Sequence, residues 1–113
     1  MPDYLLDTTT IIDYLRDKSS VPELLERFCS QGGLLCCSPI NIVEVYAGMK
    51  DKEKTETDEF LQSLECYEID REIANLAGEL KRKYSKKGTT FSTLDVLIAA
   101  TAIKKHLILV TKQ

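Results

Sequence analysis

The sequence predicts an α/β protein with a central parallel sheet. Four short apolar runs alternate with helical segments along 113 residues, and strands joined through helices pair in parallel with right-handed crossovers. The second run is apolar at every position, as expected for a strand covered on both faces. The predicted strands are Tyr4–Leu6, Leu34–Cys37, Cys66–Ile69 and Leu107–Val110. A chain of this length is predicted to form one domain, residues 1–113, around one core.

The first two predicted helices are marked by periodicity and by capping residues. A broad apolar face after the first strand predicts a helix over approximately Thr8–Asp17. Ser20 and Glu23 have the spacing of a capping box, and Pro22 falls in the first turn of the helix that they would start. That helix is predicted to end near Gly32–Gly33, because glycine favours a helix C-terminus.

The next three helices follow from similar signals. The pair Ser38–Pro39 predicts the start of a third helix, which runs toward Gly48. A polar fourth helix is predicted over approximately Lys52–Leu64. Asp70 is predicted to cap a fifth helix, which should end at Gly88.

The last helix is predicted to be central and buried. Ser92 has the position of its N-cap, and Asp95 stands three residues further on. The segment Val96–Ile103 is apolar nearly all round, which is typical of a helix surrounded by protein.

Three carboxylates are embedded in segments that otherwise have the composition of a protein interior. Asp7 closes the first strand, Glu44 lies inside the third helix, and Asp95 opens the last one. Burial of a carboxylate costs several kcal/mol unless a partner compensates it. Three such costs in one small protein favour a shared divalent cation. If the first strand is central, with the second and fourth beside it, the three acids face one crevice beyond the carboxyl ends of the strands.

Each acid also has a structural alternative. Asp7 could cap the first helix, and Asp95 could complete a capping box with Ser92. Glu44 could form a salt bridge with a lysine. Asp13, on the first helix, is expected at the surface or in a cap.

Clustered carboxylates without histidine suit a hard cation with oxygen ligands, Mg²⁺ or Mn²⁺. Such ions support phosphoryl chemistry because they activate a bound water and stabilise the leaving oxygen. Thr8, Thr9 and Ser92 are nearby hydroxyls that could hold a metal-bound water or a phosphate oxygen. With His106 as the one histidine and no glycine-rich phosphate loop, Ser/His/Asp catalysis and nucleotide-cofactor binding are unsupported.

The charge of the chain is uneven. A net charge of −3 and a pI near 5.2 argue against broad, non-specific nucleic-acid binding. The run Lys81–Lys87, however, holds five bases and no acid. It is expected either to meet phosphates or to be the solvated end of a helix.

The four cysteines predict buried free thiols in a reducing compartment. No CxxC pair exists and histidine is scarce, so the usual ligands of a zinc site are lacking. Cys36 and Cys37 are adjacent in a predicted strand and should point to opposite faces of the sheet. No apolar run approaches a membrane span and no secretory signal is visible, so the expected location is the cytoplasm, without membrane contact.

At the acidic segments the sequence resembles a PIN domain, and in particular the toxins of VapBC-type toxin–antitoxin pairs. The resemblance covers essentially the whole chain and is specific because four segments occur in the family's order and spacing. They are Leu5–Leu15, Ile42–Gly48, Ser92–Ala102 and Leu107–Thr111.

The resemblance implies a Mg²⁺- or Mn²⁺-dependent endoribonuclease with a three-layer α/β/α fold and strand order 3-2-1-4, followed by a fifth strand in the family. Asp7, Glu44 and Asp95 match the acidic metal and catalytic positions, and Thr111 matches a hydroxyl residue near the site. Family toxins cut structured RNA such as tRNA or rRNA. They usually dimerise, and a small DNA-binding antitoxin of the VapB type neutralises them. The lysines of the basic run are then candidate RNA contacts: Lys83, Lys86 and Lys87.

The chain departs from the family pattern at its last residues. Gln113 takes the place of the usual asparagine, and neither the fourth acid nor the fifth strand is present in the sequence. The fourth strand is therefore expected to be an exposed apolar edge. Three alternatives stay open: a catalytically weak PIN-like module that binds RNA or protein, a PIN nuclease of RNA processing, and a small α/β protein whose acids only cap helices.

Overall fold

A four-stranded parallel sheet forms the centre of the molecule, with the strand order β3-β2-β1-β4 that the sequence predicted. The computed structural model describes residues 2–18 and 20–111, and Gln113 lies outside this range. The strands are β1 (Tyr4–Leu6), β2 (Leu35–Cys37), β3 (Glu65–Cys66) and β4 (Ile108–Val110). The helices are α1 (Thr8–Leu15), α2 (Val21–Ser30), α3 (Pro39–Gly48), α4 (Lys54–Ser63), α5 (Arg71–Lys86) and α6 (Thr93–Lys105), with a 3-10 turn at Asp51–Glu53 before α4.

Alternating residues of the two central strands divide the core into two layers. Leu6 and Cys37 face a cluster that α1 to α4 cover, whereas Leu5 and Cys36 face α6. All four side chains are completely buried, and the adjacent cysteines point to opposite faces as predicted. α5 packs on the outside of α6, so the fold has the expected three layers.

The predicted helix starts are confirmed, including that of α2, which begins directly after Ser20. Asp7, Asp70 and Ser92 each accept a hydrogen bond from the backbone N–H three residues further on. The predicted capping box of Ser20 and Glu23 is wrong, because the Ser20 side chain makes no capping hydrogen bond. Its ψ of 17° departs from the extended backbone that normally directs an N-cap oxygen at the helix.

The end of α5 is also confirmed. Gly88 has a φ of +87°, a conformation that glycine adopts without steric cost. Its N–H donates to the carbonyl of Ser85 at 3.0 Å, and Thr89 N–H donates to the carbonyl of Tyr84 at 2.9 Å. These bonds satisfy carbonyls in the last turn of α5 and fix the direction of the loop that follows.

β3 and β4 are the two edge strands of the described sheet. β3 is shorter than predicted, because after Tyr67 N–H donates to the carbonyl of Cys37 the chain leaves the sheet for the start of α5. In β4, Ile108 is 49% exposed and Leu109 is 37% exposed.

Several burial expectations are corrected. Cys29 and Cys66 are exposed, because one lies on the outer side of α2 and the other on the edge strand β3. Asp13 is buried rather than on the surface. α6 is not covered all round, since Leu94 and Ile103 are exposed on the side that faces a cavity. Within residues 2–18 and 20–111, the helices are too short or too polar to cross a membrane.

Candidate active site

A cavity of about 690 Å³ opens beyond the carboxyl ends of β1 and β4. This is where parallel sheets commonly place ligands. Its polar wall consists of residues from three helices and from the segments that follow the two strands: Asp7, Thr8, Thr9, Asn41, Glu44, Asp95 and Thr111. The three acids predicted from the sequence therefore line the same cavity.

Asp7 has two roles in this arrangement. Its backbone N–H donates to the carbonyl of Val110 at 3.1 Å, which ties the end of β1 to the end of β4. Its Oδ1 accepts from Thr10 N–H at 2.8 Å and caps α1. The structural alternative for Asp7 is thus confirmed, and it coexists with a place on the cavity wall.

Glu44 accepts a hydrogen bond from a hydroxyl group. Thr8 Oγ1 donates to Glu44 Oε1 in a short hydrogen bond of 2.5 Å, which joins α1 to α3. The ion pairs among the described residues are Arg16–Glu53 and Lys54–Asp58, so none of the described lysines forms a salt bridge with Glu44. The carboxylate is half-buried and keeps its access to the cavity.

Asn41 supports this pair and was not singled out by the sequence analysis. Its side chain is completely buried, and its Nδ2 donates to Thr8 Oγ1 at 3.2 Å. Its Oδ1 accepts from the backbone N–H of Ser38 at 2.9 Å and from the Ser38 hydroxyl at 3.2 Å. The signal for it was the Ser-x-x-Asn spacing at the start of α3, which is a variant of the capping box.

Asp95 is exposed, so the expectation that all three acids lie in the interior is wrong. It occupies the first turn of α6, and the N-terminus of that helix opens on the cavity. Its backbone N–H donates to Ser92 Oγ at 3.0 Å, which leaves the carboxylate directed away from the core. Ser92 is occupied by this cap and does not line the cavity, whereas Thr111 does.

The donor set suits a hard cation, although the acids are spread out. Within the described part of the chain, no three His, Cys, Asp or Glu side chains lie close enough together to hold one metal ion. Mg²⁺ in proteins is commonly held by one or two carboxylates and keeps several waters, so it does not require an all-protein cage. Carboxylates of Asp7, Glu44 and Asp95 that line one cavity fit this type of binding.

The remaining lining of the cavity is largely apolar. It consists of side chains from α5, α6, the loop between them and β4: Leu80, Tyr84, Phe91, Leu94, Ile103 and Leu109. Tyr84 and Phe91 meet edge to face, with ring centroids 5.4 Å apart and an interplanar angle of 82°. Hydrolytic chemistry at the acidic wall would therefore take place beside an aromatic surface.

Part of the predicted basic run surrounds that aromatic pair. The ammonium groups of Lys83 and Lys87 lie 5.8 and 5.9 Å from the centroid of the Tyr84 ring. Lys81 Nζ donates to the carbonyl of Phe91 at 2.6 Å. Lys86 is exposed on the same helix. All three lysines are exposed, and Lys83 and Lys87 lie near the ring of Tyr84, which lines the cavity.

The comparison with known protein families agrees with this geometry. A family model of the PIN domain matches residues 4–112. The chain belongs to the PIN domain family. In this PIN domain, the three acids of the cavity lie at the start of α1, in α3 and in the first turn of α6.

The relatives of this PIN domain include VapC ribonucleases. It is 30% identical over 99 residues to Ribonuclease VapC19 of Mycobacterium tuberculosis, with 88% of this chain and 79% of that protein covered. It is 32% identical over 116 residues to Ribonuclease VapC2 of Haemophilus influenzae, with 98% of this chain and 86% of that protein covered. Among solved structures, a chain of VapBC2 from Rickettsia felis, bound to a DNA fragment from its promoter, matches with a TM-score of 0.85. It has 26% identity, and 97% of this chain and 86% of that chain are covered.

Proposed function

We propose that this PIN domain is a divalent-metal-dependent endoribonuclease, and that it acts as the toxin of a toxin–antitoxin pair. The observation that carries the proposal is the convergence of Asp7, Glu44 and Asp95 on one cavity. The relatives that cover most of the chain are named ribonucleases, which supports RNA as the substrate.

The three acids have different tasks in this proposal. Mg²⁺ or Mn²⁺, when held by one or two of these carboxylates, would stabilise the negative charge that develops on the scissile phosphate. Glu44 is fixed in orientation by Thr8, and Asp7 is fixed by its cap to Thr10 N–H. Asp95 stands at the mouth of the cavity, where an exposed carboxylate can reach a ligand from the solvent side.

The substrate would be positioned by groups around the acids. Lys83 and Lys87, and more remotely Lys86, would bind phosphates on either side of the cleaved bond. Thr111 would support the site from the end of β4. Ser92 would act indirectly, since its hydroxyl holds the first turn of α6 in place.

The partners would be those of a toxin. We expect an antitoxin of the VapB type, because the R. felis structure is a complex of the two components. An acidic cavity with an apolar wall is a surface that a basic and apolar antitoxin segment would fit. Homodimerisation and a cytoplasmic location complete the proposal. The four free cysteines are compatible with a reducing compartment.

A second candidate is favoured by the spacing of the acids. Because no three acidic side chains within the described residues are close enough to hold one ion, a PIN domain that binds RNA with little or no hydrolysis is the alternative. The two candidates differ in whether a divalent ion binds at Asp7.

The experiment uses two aspartates that both cap helices. Cleavage of tRNA and rRNA in Mn²⁺ is measured for the wild type, Asp7→Asn and Asp70→Asn. Asp7 and Asp70 accept equivalent bonds, at 2.8 and 2.9 Å, and asparagine is an equally good N-cap. Both variants should therefore keep their unfolding midpoints, whereas only Asp7→Asn should lose cleavage, by at least about 100-fold.

Two controls complete the experiment. EDTA should abolish wild-type cleavage, and calorimetry should show Mn²⁺ binding to the wild type and to Asp70→Asn only. Cleavage that persists in Asp7→Asn would refute the acidic site. RNA binding without any cleavage or Mn²⁺ binding would support the binding module instead.

A further inference from the structure

We propose that Tyr84 and Phe91 form a stacking platform for one unpaired base of the RNA, next to the phosphate that is cleaved. The proposal rests on the ribonuclease function proposed above and adds a substrate class to it. The preferred RNA would be single-stranded at one nucleotide beside the cleavage site, such as a loop or a bulge.

The first argument is the exposure of the two rings. Tyr84 is 36% exposed and Phe91 39% exposed, although aromatic side chains of this size are normally buried further. Both line the cavity that also contains the three acids. The two rings meet edge to face and so are not stacked on each other. Because the ammonium groups of Lys83 and Lys87 lie over the Tyr84 ring, the base would stack on the Phe91 ring, with Tyr84 and its cations at the edge of the platform.

The second argument is that the platform is held in place. The loop that carries Phe91 leaves α5 through the turn at Gly88, where Thr89 N–H bonds the carbonyl of Tyr84. Lys81 Nζ fixes the other end of the loop through the carbonyl of Phe91. A rigid surface loses little conformational entropy when a ligand binds, so these contacts favour binding.

The third argument is the charge around the rings. Lys83 and Lys87 place positive charge at Tyr84, which lines the same cavity as the three acids. Aromatic rings flanked by cations are the usual arrangement for single-stranded nucleic acid, in which bases stack on rings and phosphates meet the cations. A purely apolar protein segment on this wall would have to cover these ammonium groups without neutralising them.

The fourth argument concerns pairing. A base inside a duplex has both faces covered by its neighbours and cannot stack on a side chain unless it leaves the helix. The platform therefore selects a nucleotide that is already unpaired. The cavity volume of about 690 Å³ lies in the range that accommodates small organic ligands, a class that includes a nucleotide.

The test measures stacking directly and does not depend on cleavage. A short single-stranded RNA carries the fluorescent base 2-aminopurine at each position in turn, and its emission is followed on binding. Titrations are made in EDTA, and for Asp7→Asn also in Mg²⁺. Wild-type protein should quench the emission at one position. Replacement of that base by an abasic site should weaken binding by about 5-fold or more, since stacking on an aromatic ring contributes about that much.

Four variants locate the effect. Phe91→Leu and Tyr84→Leu should lose the quenching and weaken RNA binding by about 5-fold or more. Phe91→Tyr should keep both the quenching and the RNA affinity of the wild type, because tyrosine also has a ring on which a base can stack. Tyr46→Leu is the matched control and should behave as wild type, because Tyr46 is 37% exposed but lies outside the cavity.

The outcomes separate this proposal from the proposed function. If no position is quenched under either condition, or if Phe91→Leu binds RNA as tightly as wild type, the platform is refuted and this wall is left for a protein partner. If Phe91→Leu cleaves RNA with unchanged kcat and KM, the ribonuclease proposal is supported and the stacking platform is refuted. If the wild type shows quenching at one position without any cleavage, the stacking platform is supported and the ribonuclease proposal is refuted.

Discussion

The buried amide of Asn41 donates from Nδ2 to the hydroxyl oxygen of Thr8 at 3.2 Å, between residues 33 positions apart in the sequence. This bond sets the direction of the next one. Because the Thr8 oxygen accepts from Asn41, its single proton is available for Glu44, to which Thr8 donates. The orientation of the amide is fixed in turn by Ser38, whose N–H and hydroxyl both lie within hydrogen-bonding distance of Oδ1. Glu44 is thus held by a chain of donors that begins at the N-cap of α3.

The first prediction concerns this chain. Asn41→Asp keeps the acceptor that Ser38 requires but removes the donor to Thr8, and it places a buried negative charge near Glu44. We expect a loss of about 1–3 kcal/mol in the free energy of unfolding and a loss of RNA cleavage of at least about 10-fold. Urea denaturation and a cleavage assay measure the two effects.

Asn75→Asp is the matched control for this prediction. It makes the same chemical change at an exposed position of α5 that does not line the cavity. Its stability should stay within about 0.5 kcal/mol of wild type, and its cleavage should be unchanged. A wild-type rate of cleavage in Asn41→Asp would show that the orientation of Thr8 does not matter for the site.

The second prediction concerns Asp95, which the sequence allowed to be either a cap or a site residue. Its exposed carboxylate accepts no hydrogen bond from another described residue, whereas its backbone N–H takes part in the cap of Ser92. Asp95→Asn keeps that backbone bond and loses only a favourable helix-dipole interaction of about 0.3–1 kcal/mol. We therefore expect a folded protein with strongly reduced cleavage.

Glu72→Gln provides the comparison for Asp95→Asn. Glu72 is an exposed acid in the first turn of α5, so its neutralisation has the same small effect on a helix dipole. Thermal unfolding should shift equally little in the two variants, and RNA cleavage should fall only in Asp95→Asn. If Asp95→Asn instead unfolds the domain, its role is structural.

The parallel sheet and the three acids could be predicted from local signals, whereas the strand order was implied by the resemblance to the PIN family. The continuous apolar run of the second strand predicted a strand covered on both faces, and the complete burial of Cys36 and Cys37 confirms this. Asp7 follows the first strand directly, so the end of the sheet places it in the cavity whatever the details of helix packing.

The contacts within the site could not be predicted, because they depend on how separate helices are rotated against each other. The bond from Thr8 to Glu44 requires one face of α3 to turn toward the start of α1, and nothing local in either segment specifies this rotation. The exposure of Asp95 has the same origin. The apolar residues after it predicted a buried helix, but α6 leaves its N-terminus at the cavity mouth.

The third prediction concerns the basic run. Lys83→Glu combined with Lys87→Glu reverses the two charges that lie beside Tyr84. RNA binding should weaken, and the slope of log K against log salt should become shallower by about 1.4, since each lost phosphate contact to a single strand contributes about 0.7. Fluorescence titration of a single-stranded RNA at several salt concentrations measures both quantities.

The control for this charge reversal is Lys50→Glu combined with Lys52→Glu. It changes the net charge by the same amount at two exposed lysines that do not line the cavity. Its salt dependence should stay close to that of wild type. Equal losses in both double variants would show that only the total charge matters and that the lysines beside Tyr84 make no specific contact.

The last prediction concerns the thiols, which burial separates into two classes. Burial raises the pKa of Cys36 to about 11 and that of Cys37 to about 12, whereas Cys29 and Cys66 are exposed. A raised pKa keeps a thiol protonated, so at pH 8 only about 0.1% or less of either buried thiol is the reactive thiolate. A disulfide reagent should therefore modify two thiols of the native protein quickly at pH 8 and the other two only in denaturant.

A change of pH and one double variant test whether the raised pKa values of the buried thiols cause their slow reaction. Raising the pH to about 9.5 should still leave the buried pair reacting more slowly than the exposed pair in the folded protein, because both buried thiols remain largely protonated at that pH. Cys29→Ser combined with Cys66→Ser should abolish the fast phase, whereas the slow phase should persist, with Cys37 somewhat more reactive because Cys66 contributes to its raised pKa. A fast reaction of a third thiol in the native protein would mean that the β1–β2 centre of the sheet opens readily, which its complete burial argues against.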